Sequence, residues 1–148
     1  MDQSIDSASW LATLLDQEML ENVSQIAIAP RSAPNAALQR KTGAEVSAEL
    51  RGRPLLRYLV AERVQTYEPG RREMLYTTPT AYSGPDATSW LALPNPQVIR
   101  THVMLLDPGR IAEIWGPRWV RLGKGIEYLL PQGFPAQAII LGWPILVS

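Results

Sequence analysis

Basic and aromatic side chains crowd together in one stretch of the chain, residues 115–128. Cations are interleaved there with rings: Trp115, Arg118, Trp119, Arg121, Lys124 and Tyr128. Guanidinium groups pair with phosphates or carboxylates, and aromatic rings stack on bases or anchor a protein partner. The stretch therefore predicts a contact surface for a protein or a nucleic acid. The alternative is a structural role for a strand end, in which the tryptophans are buried and the arginines are solvated or pair with Glu113 and Glu127.

The residue types that catalysis and metal binding need are scarce. The chain has no cysteine and one histidine, His102, which excludes thiolate zinc sites, iron–sulfur clusters and two-histidine metal motifs within it. Strand alternation places His102 on one face with Arg100 and Met104, as expected for a structural histidine. Asp107 and Glu113 are the pair of carboxylates nearest to an acid–base arrangement, but they flank a predicted turn, where acids are usually solvated. We predict no catalytic residue, metal or cofactor, and a binding or regulatory domain rather than an enzyme.

Charge is balanced over the whole chain but not along it. The 148 residues, the size of one domain, hold fourteen Lys plus Arg and fourteen Asp plus Glu. No overall basic field therefore draws the chain to nucleic acid or to an anionic membrane. Residues 1–30 hold five of the acids and no Lys or Arg. This pattern predicts either an acidic N-terminal segment that lies on a basic body, or a basic surface that is left for a partner.

No apolar run approaches the roughly 20 residues that a membrane-spanning helix needs. The longest run, residues 138–147, is interrupted by Gly142 and Pro144. The N-terminus carries Asp2 and Asp6 in place of the basic residues that open a secretory signal. We expect a soluble cytoplasmic protein without membrane contact.

The spacing of apolar residues predicts two longer helices. Intervals of three and four residues indicate an amphipathic helix over residues 10–23 and a second helix over residues 54–67. For the second segment, a strand over residues 58–67 is the alternative. Residues 24–50 are rich in turn-forming residues and predict a connection with a short strand near Ile26.

The later part of the chain has the composition of strands. Strands are predicted over residues 73–82, 88–93, 98–106, 110–115 and 138–141, and a short helix over residues 125–130. Pro108 and Gly109 form a turn signal, which predicts an antiparallel hairpin between the third and fourth of these strands. The order predicts an α+β fold, with an antiparallel sheet of about four or five strands, helices packed on it and an extra N-terminal amphipathic helix. We divide the chain into an N-terminal part, residues 1–50, and an α+β domain, residues 51–148.

A resemblance to a known family lies in residues 98–143. The runs HVMLLDPGRIAEIW and GKGIEYLLPQGFPAQAIILGW resemble the cyanobacterial XisI-type proteins, the fdxN-element excision controlling factors. In that family a histidine-bearing strand, a glycine-containing acidic turn and a strand with Ile and Trp precede a short GIxxxLLxxG helix and a final strand. The residues in family-like positions are His102, Asp107, Gly109, Ile111, Trp115, Gly125, Gly133, Pro135, Ile140, Leu141, Gly142 and Trp143.

The resemblance implies a non-catalytic accessory protein of DNA-element excision by site-specific recombination. Such a protein acts through contacts with a recombinase or a nuclease-like second factor, and direct DNA contact and self-association stay open. The partner-contact residues would be Trp115, Arg118, Trp119, Arg121 and Lys124.

Two other functions remain open. The run WGPRWVRLGKG is similar to a late strand of the chorismate pyruvate-lyase superfamily, which implies a small anionic-ligand-binding or lyase domain. Arg63 or Arg72, together with Glu127, would then hold the ligand. The Pro-rich strands also suit a phage or viral structural subunit. An enclosed pocket with a converging Arg and Glu would favour the ligand-binding domain, and an exposed Trp/Arg face would favour the regulator.

Overall fold

Short antiparallel strands and one helix make up the described part of the fold. The computed structural model describes residues 26–59, 74–80, 87, 100–120, 125–140 and, for the backbone, 145–146. The strands are β1 (Arg40–Thr42), β2 (Leu55–Leu59), β3 (Leu75–Thr77), β4 (His102–Leu106), β5 (Glu113–Trp119), β6 (Ile126–Leu130) and β7 (Ile145–Leu146), and the helix is α1 (Gly43–Glu49). The α+β class is confirmed at this level. The predicted N-terminal helix lies outside the described residues.

The strands form two sheets. The four-stranded sheet has the order β1-β5-β6-β3, and the three-stranded sheet has the order β2-β4-β7. The paired strands within both sheets are antiparallel. A single bridge between Leu56 and Thr78 links the sheets where β2 meets β3. Most neighbours in the sheets are thus distant in sequence.

Helix α1 begins where the sequence provides a capping box. The Thr42 side chain accepts a hydrogen bond from the Glu45 backbone N–H at 3.2 Å, and the Glu45 carboxylate accepts one from the Thr42 N–H at 3.1 Å. Both contacts satisfy N–H groups that a helix start leaves unpaired. On the buried side, Val46 and Leu50 are fully buried in the core. The cap and these two residues fix α1 against the sheet.

Gly43 allows the start of α1 to approach the turn that follows β4. A Cβ atom at this position would lie 2.0 Å from the carbonyl oxygens of both Pro108 and Ile111. That distance is far inside van der Waals contact, so a side chain here would push α1 away from the turn. Glycine is therefore required by the close approach of the two backbones.

The two faces of the four-stranded sheet differ in what covers them. We call the side that packs on α1 the inner face, where Ile114, Tyr128 and Leu130 belong to the main core cluster. Strand alternation places Trp115 and Leu129 on the opposite side, the outer face. The inner face therefore belongs to the core, and the outer face carries Trp115, whose ring suits binding.

A β-bulge in β5 changes which side chains share a face. Trp115 is opposite Leu129 and Arg118 is opposite Glu127, so a step of three residues on β5 matches a step of two on β6. The extra residue lies at Gly116–Pro117, and Gly116 has a φ of 123°, which side-chain-bearing residues rarely adopt. As a result Trp115 and Arg118 lie on the same face, and Trp119 lies on the other.

The helix predicted over residues 54–67 is wrong where the structure describes it. Residues Leu55–Leu59 form β2, which is in register with β4 over its whole length. The segment LLRYL is buried on both faces apart from the half-buried Arg57. A strand that is buried on both sides has no polar face, so its apolar residues also satisfy helical spacing.

The predicted hairpin between residues 98–106 and 110–115 is also wrong. Strand β4 pairs with β2 and β7, whereas β5 pairs with β1 and β6. Between them, Pro108–Arg110 form a 3₁₀ turn, capped by the Asp107 side chain, which accepts from the Gly109 N–H at 3.0 Å. This turn carries the chain from one sheet to the other.

Two predictions near the C-terminus are corrected as well. The short helix predicted over residues 125–130 is β6, all of whose residues are buried between β5 and β3. In place of the strand predicted from residue 138, Ala136–Ala138 form a 3₁₀ turn, and Ile139 makes a single bridge to Leu106. Burial on both faces again hid the strand period in β6.

Candidate functional site

A row of four side chains crosses the outer face of the four-stranded sheet. The register places Arg40 opposite Trp115, Trp115 opposite Leu129, and Leu129 opposite Tyr76. We call these four residues the aromatic row. Arg40 is exposed, Tyr76 is 47% exposed and Trp115 is half-buried, whereas Leu129 is fully buried. The row therefore presents a cation and two rings on one surface.

The Arg40–Trp115 end of the row holds a cation–π contact and a buried donor without a partner. The guanidinium carbon of Arg40 lies 5.0 Å from the centre of the Trp115 ring, within the range of a cation–π contact. The Trp115 indole N–H is buried and donates to no acceptor in the described structure. A buried donor without a partner costs free energy.

Arg118 is held in an ion pair on the same face. Its Nε donates to Glu127 Oε2 at 2.7 Å, and its Nη1 donates to Asn35 Oδ1 at 2.9 Å and to the Ala33 carbonyl oxygen at 3.3 Å. Only 12% of the Arg118 side chain and 11% of the Glu127 side chain are exposed. Burial raises the pKa of Glu127, and Arg118 opposes that rise by its hydrogen bond and charge. The pairing of Arg118 with Glu127 that the sequence left open is confirmed.

The Arg118–Glu127 pair also fastens the segment that precedes β1. Asn35 and Ala33 belong to this segment, and both accept hydrogen bonds from Arg118. A little earlier, Ala29 forms a parallel bridge with Arg118 through the backbone. Arg118 on β5 thus links β6 and residues 33–35 through its side-chain hydrogen bonds.

A second polar cluster lies on the inner face. The Tyr128 hydroxyl donates to Glu49 Oε2 at 3.0 Å, and Glu49 also forms an ion pair with Lys41. Burial, and then the Glu49 carboxylate, raise the pKa of Tyr128, so the phenol stays protonated and acts as a donor. No sequence motif marks Lys41 or Glu49, because only the packing of α1 against β1 and β5 brings them to Tyr128.

The remaining predicted contact residues are separated or lie outside the described residues. Trp119 is 37% exposed at the end of β5, where its partner is Ile126 of the inner face. It therefore lies on the opposite side of the sheet from Trp115. The contact residues Arg121 and Lys124, and the ligand-binding residues Arg63 and Arg72, fall outside the described residues, so their roles stay predictions.

The candidate acid–base residues are His102, Asp107 and Glu113, and each lies in a strand or caps a turn of the fold. The His102 Nδ1 lies 2.9 Å from the Thr101 hydroxyl, and burial lowers the pKa of His102. Asp107 caps its turn and lies 3.5 Å from Arg110. Glu113 is on β5, opposite Thr42. Across the described ranges, no three His, Cys, Asp or Glu side chains come together in a group that would hold a metal ion.

Among the described residues, no helix has the length and apolar character needed to cross a membrane. Comparison of the chain with protein-family models, with curated proteins and with solved structures finds no match.

Proposed function

We propose that this protein is a non-catalytic binding module that holds a partner protein through the aromatic row. The observation that carries the proposal is the row itself, in which the exposed Arg40 and Tyr76 lie on either side of Trp115 and Leu129 on one sheet face. Arginine and aromatic side chains supply much of the binding energy at protein interfaces. The aromatic rings bury a large area with few rotatable bonds to order.

The internal pairing of the other charged groups supports a binding role over a catalytic one. Glu127 is paired with Arg118, and Glu49 is paired with both Lys41 and Tyr128. A general base must be able to accept a proton from a substrate within hydrogen-bond reach. These two carboxylates already accept hydrogen bonds from the protein itself.

The specific form of the proposal is an accessory factor of DNA-element excision. It rests on the resemblance of residues 98–143 to the XisI-type excision controlling factors. The partner would be a recombinase or a nuclease-like protein, and the site of action would be the cytoplasm. Direct contact with DNA would add to the protein contact without replacing it.

Affinity capture of the tagged full chain from its native cells tests this function. Parallel samples with and without nuclease separate a protein partner from one that is bridged by DNA, and mass spectrometry identifies what remains. We expect a stoichiometric partner that survives nuclease treatment and is lost with Tyr76→Ser. Trp119→Ser is the matched control, because it removes an exposed ring from the opposite face. Capture of no stoichiometric partner, or loss only with Trp119→Ser, would contradict the proposal.

A second candidate function, a small anionic-ligand-binding or lyase domain, is favoured by one observation. Arg118 and Glu127 converge in a mostly buried pair, and a guanidinium is a strong bidentate partner for the carboxylate of a ligand. Thermal-shift screening with small anionic metabolites tests this function. A saturable rise in melting temperature that Arg118→Met abolishes would favour the ligand-binding domain over the partner-binding module.

A further inference from the structure

Strand β1 has an open edge in the described part of the structure. It stands at the end of the order β1-β5-β6-β3, and β5 is the strand that pairs with it. Gln39, Arg40 and Thr42 are exposed along this edge. An edge strand leaves backbone N–H and C=O groups unpaired, and these are the groups that bind an added strand.

The register shows which backbone groups face away from β5. The Gly116 N–H donates to the Gln39 carbonyl at 3.0 Å, and Arg40 is opposite Trp115. In an antiparallel ladder this makes Arg40–Trp115 a non-hydrogen-bonded pair, so the Arg40 N–H and C=O point away from β5. Among the described residues, no backbone hydrogen bond reaches either group. Arg40 therefore offers one donor and one acceptor at the open edge.

The open stretch is short because both of its ends are closed. At one end, the Thr42 N–H donates to the Glu45 carboxylate in the cap of α1. At the other end, the Leu38 N–H donates to the Asn35 carbonyl at 3.1 Å. Alternation along the strand directs the Leu38 carbonyl to the same side as the two Arg40 groups. An added antiparallel strand would therefore accept from the Arg40 N–H and donate to the Arg40 and Leu38 carbonyls.

The Arg40 side chain indicates the chemistry of the added strand. Residues directly opposite each other on neighbouring strands have their side chains on the same face, so the residue opposite Arg40 would lie beside the guanidinium on the outer face. The exposed guanidinium contacts the Trp115 ring, and no carboxylate among the described residues pairs with it. An acidic side chain in the opposite position would pair with Arg40, whereas a basic one would be repelled.

A second copy of this chain suits the edge poorly. Two β1 edges that paired about a two-fold axis at Arg40 would place two arginine side chains directly opposite each other on one face. Like charges in that position destabilise the pairing, and charged side chains on edge strands oppose self-association. The charge at this edge therefore favours an acidic strand from another protein.

We propose that the partner protein adds an extended acidic segment to the open edge of β1, antiparallel to it, with a Glu or Asp opposite Arg40. The inference rests on the proposed function, because it names the kind of segment that the partner presents to the Arg40 end of the aromatic row. The Arg40 backbone holds the segment, and the guanidinium selects the acid.

Titration of the full chain with a short peptide tests the added strand by NMR. The probe is the acetylated and amidated pentapeptide Thr-Val-Glu-Val-Thr, and the matched control has Lys in place of Glu. We expect a saturable shift of the Arg40 amide with the Glu peptide, several-fold larger than the shift of the Lys41 amide, which faces Ile114 within the sheet. The Lys peptide should bind several-fold more weakly. No saturable shift at millimolar peptide, or equal shifts at Arg40 and Lys41, would overturn the proposal.

Two variants separate the backbone from the charge. Arg40→Gln removes the guanidinium and keeps the N–H, so it should bind the Glu and Lys peptides equally. Arg40→Pro also removes the N–H, at an edge position that does not bond to β5, and should bind neither peptide. A Glu peptide that is N-methylated at the glutamate tests the same ladder without changing the protein, and it should not bind. Undiminished binding of this methylated peptide would overturn the proposal.

The same spectra distinguish the other occupant. A shift of the Arg40 amide that follows protein concentration without peptide would overturn the proposal, because the occupant would then be a second copy. The titration needs no captured partner. A failure here therefore leaves the partner-binding function of the aromatic row standing, and a failure to capture a partner leaves the peptide result standing.

Discussion

Replacement of Arg118 by methionine removes one partner of the Arg118–Glu127 pair and leaves the carboxylate inside the protein. Methionine keeps most of the length of the side chain but has no charge and no donor. Loss of one member of a buried ion pair costs about 3–5 kcal/mol, because the other charge stays desolvated. Both side chains retain about a tenth of their exposure, so we expect the lower end, about 3 kcal/mol.

The loss of stability should depend on pH. Burial already raises the pKa of Glu127, and the hydrogen bond and charge of Arg118 oppose the rise. Without Arg118 the pKa of Glu127 rises further. A carboxyl whose folded pKa is above its unfolded value destabilises the fold while it is ionised, and this cost is relieved as the pH falls through the folded pKa. Arg118→Met should therefore be least stable at neutral pH and recover part of its stability in mild acid.

Urea unfolding of four proteins measures this effect. The wild type, Arg118→Met, Glu127→Gln and the double variant are compared at about pH 7.5 and about pH 5. The double variant should be more stable than Arg118→Met at the higher pH, because it no longer buries a carboxylate without its partner. A loss below about 1 kcal/mol for Arg118→Met, or an equal loss at both pH values, would refute the reasoning.

Three further changes test the packing that positions the site. Gly43→Ala should destabilise by about 2–3 kcal/mol in urea unfolding, because its Cβ would overlap two carbonyl oxygens of the facing turn. Gly109→Ala, in that turn, meets the Asp107 side chain at 3.3 Å and the Ser47 side chain at 3.7 Å. It should change stability by less than about 0.5 kcal/mol; equal losses for the two glycines would contradict this reasoning. Tyr128→Phe removes the hydroxyl that donates to Glu49 and should cost about 1–2 kcal/mol by thermal unfolding, and an unchanged midpoint would show that the bond contributes nothing. Thr42→Ala removes the cap of α1 and should cost about 1 kcal/mol, whereas Thr42→Ser should retain most of it.

Composition and strand chemistry predict the coarse fold but not the pairing of its strands. The α+β class and a strand that ends at Leu106 follow from the sequence, because turn residues and β-branched or apolar runs act locally. The Pro108–Gly109 signal marks a real turn, but it leads into a different sheet. Which strands pair is decided by non-local packing, as in β1 with β5 and β2 with β4.

The composition of the site depends on one backbone irregularity. In a regular strand, Trp115 and Trp119 would share a face and Arg118 would lie on the other. The bulge at Gly116–Pro117 reverses that arrangement, so that Arg118 joins Trp115 and meets Glu127. The Gly-Pro pair is visible in the sequence, but its effect on register is not, because a bulge is defined by the partner strand.

The affinity of the captured partner for defined variants tests the central claim most directly. Isothermal titration of the purified partner with the wild type, Tyr76→Ser and Trp119→Ser compares the two faces of the sheet. We predict at least a tenfold weaker Kd for Tyr76→Ser, about 1.4 kcal/mol, and a Kd within about twofold of the wild type for Trp119→Ser. Unchanged binding by Tyr76→Ser, with circular dichroism showing both variants folded, would contradict the assignment of the aromatic row as the partner surface.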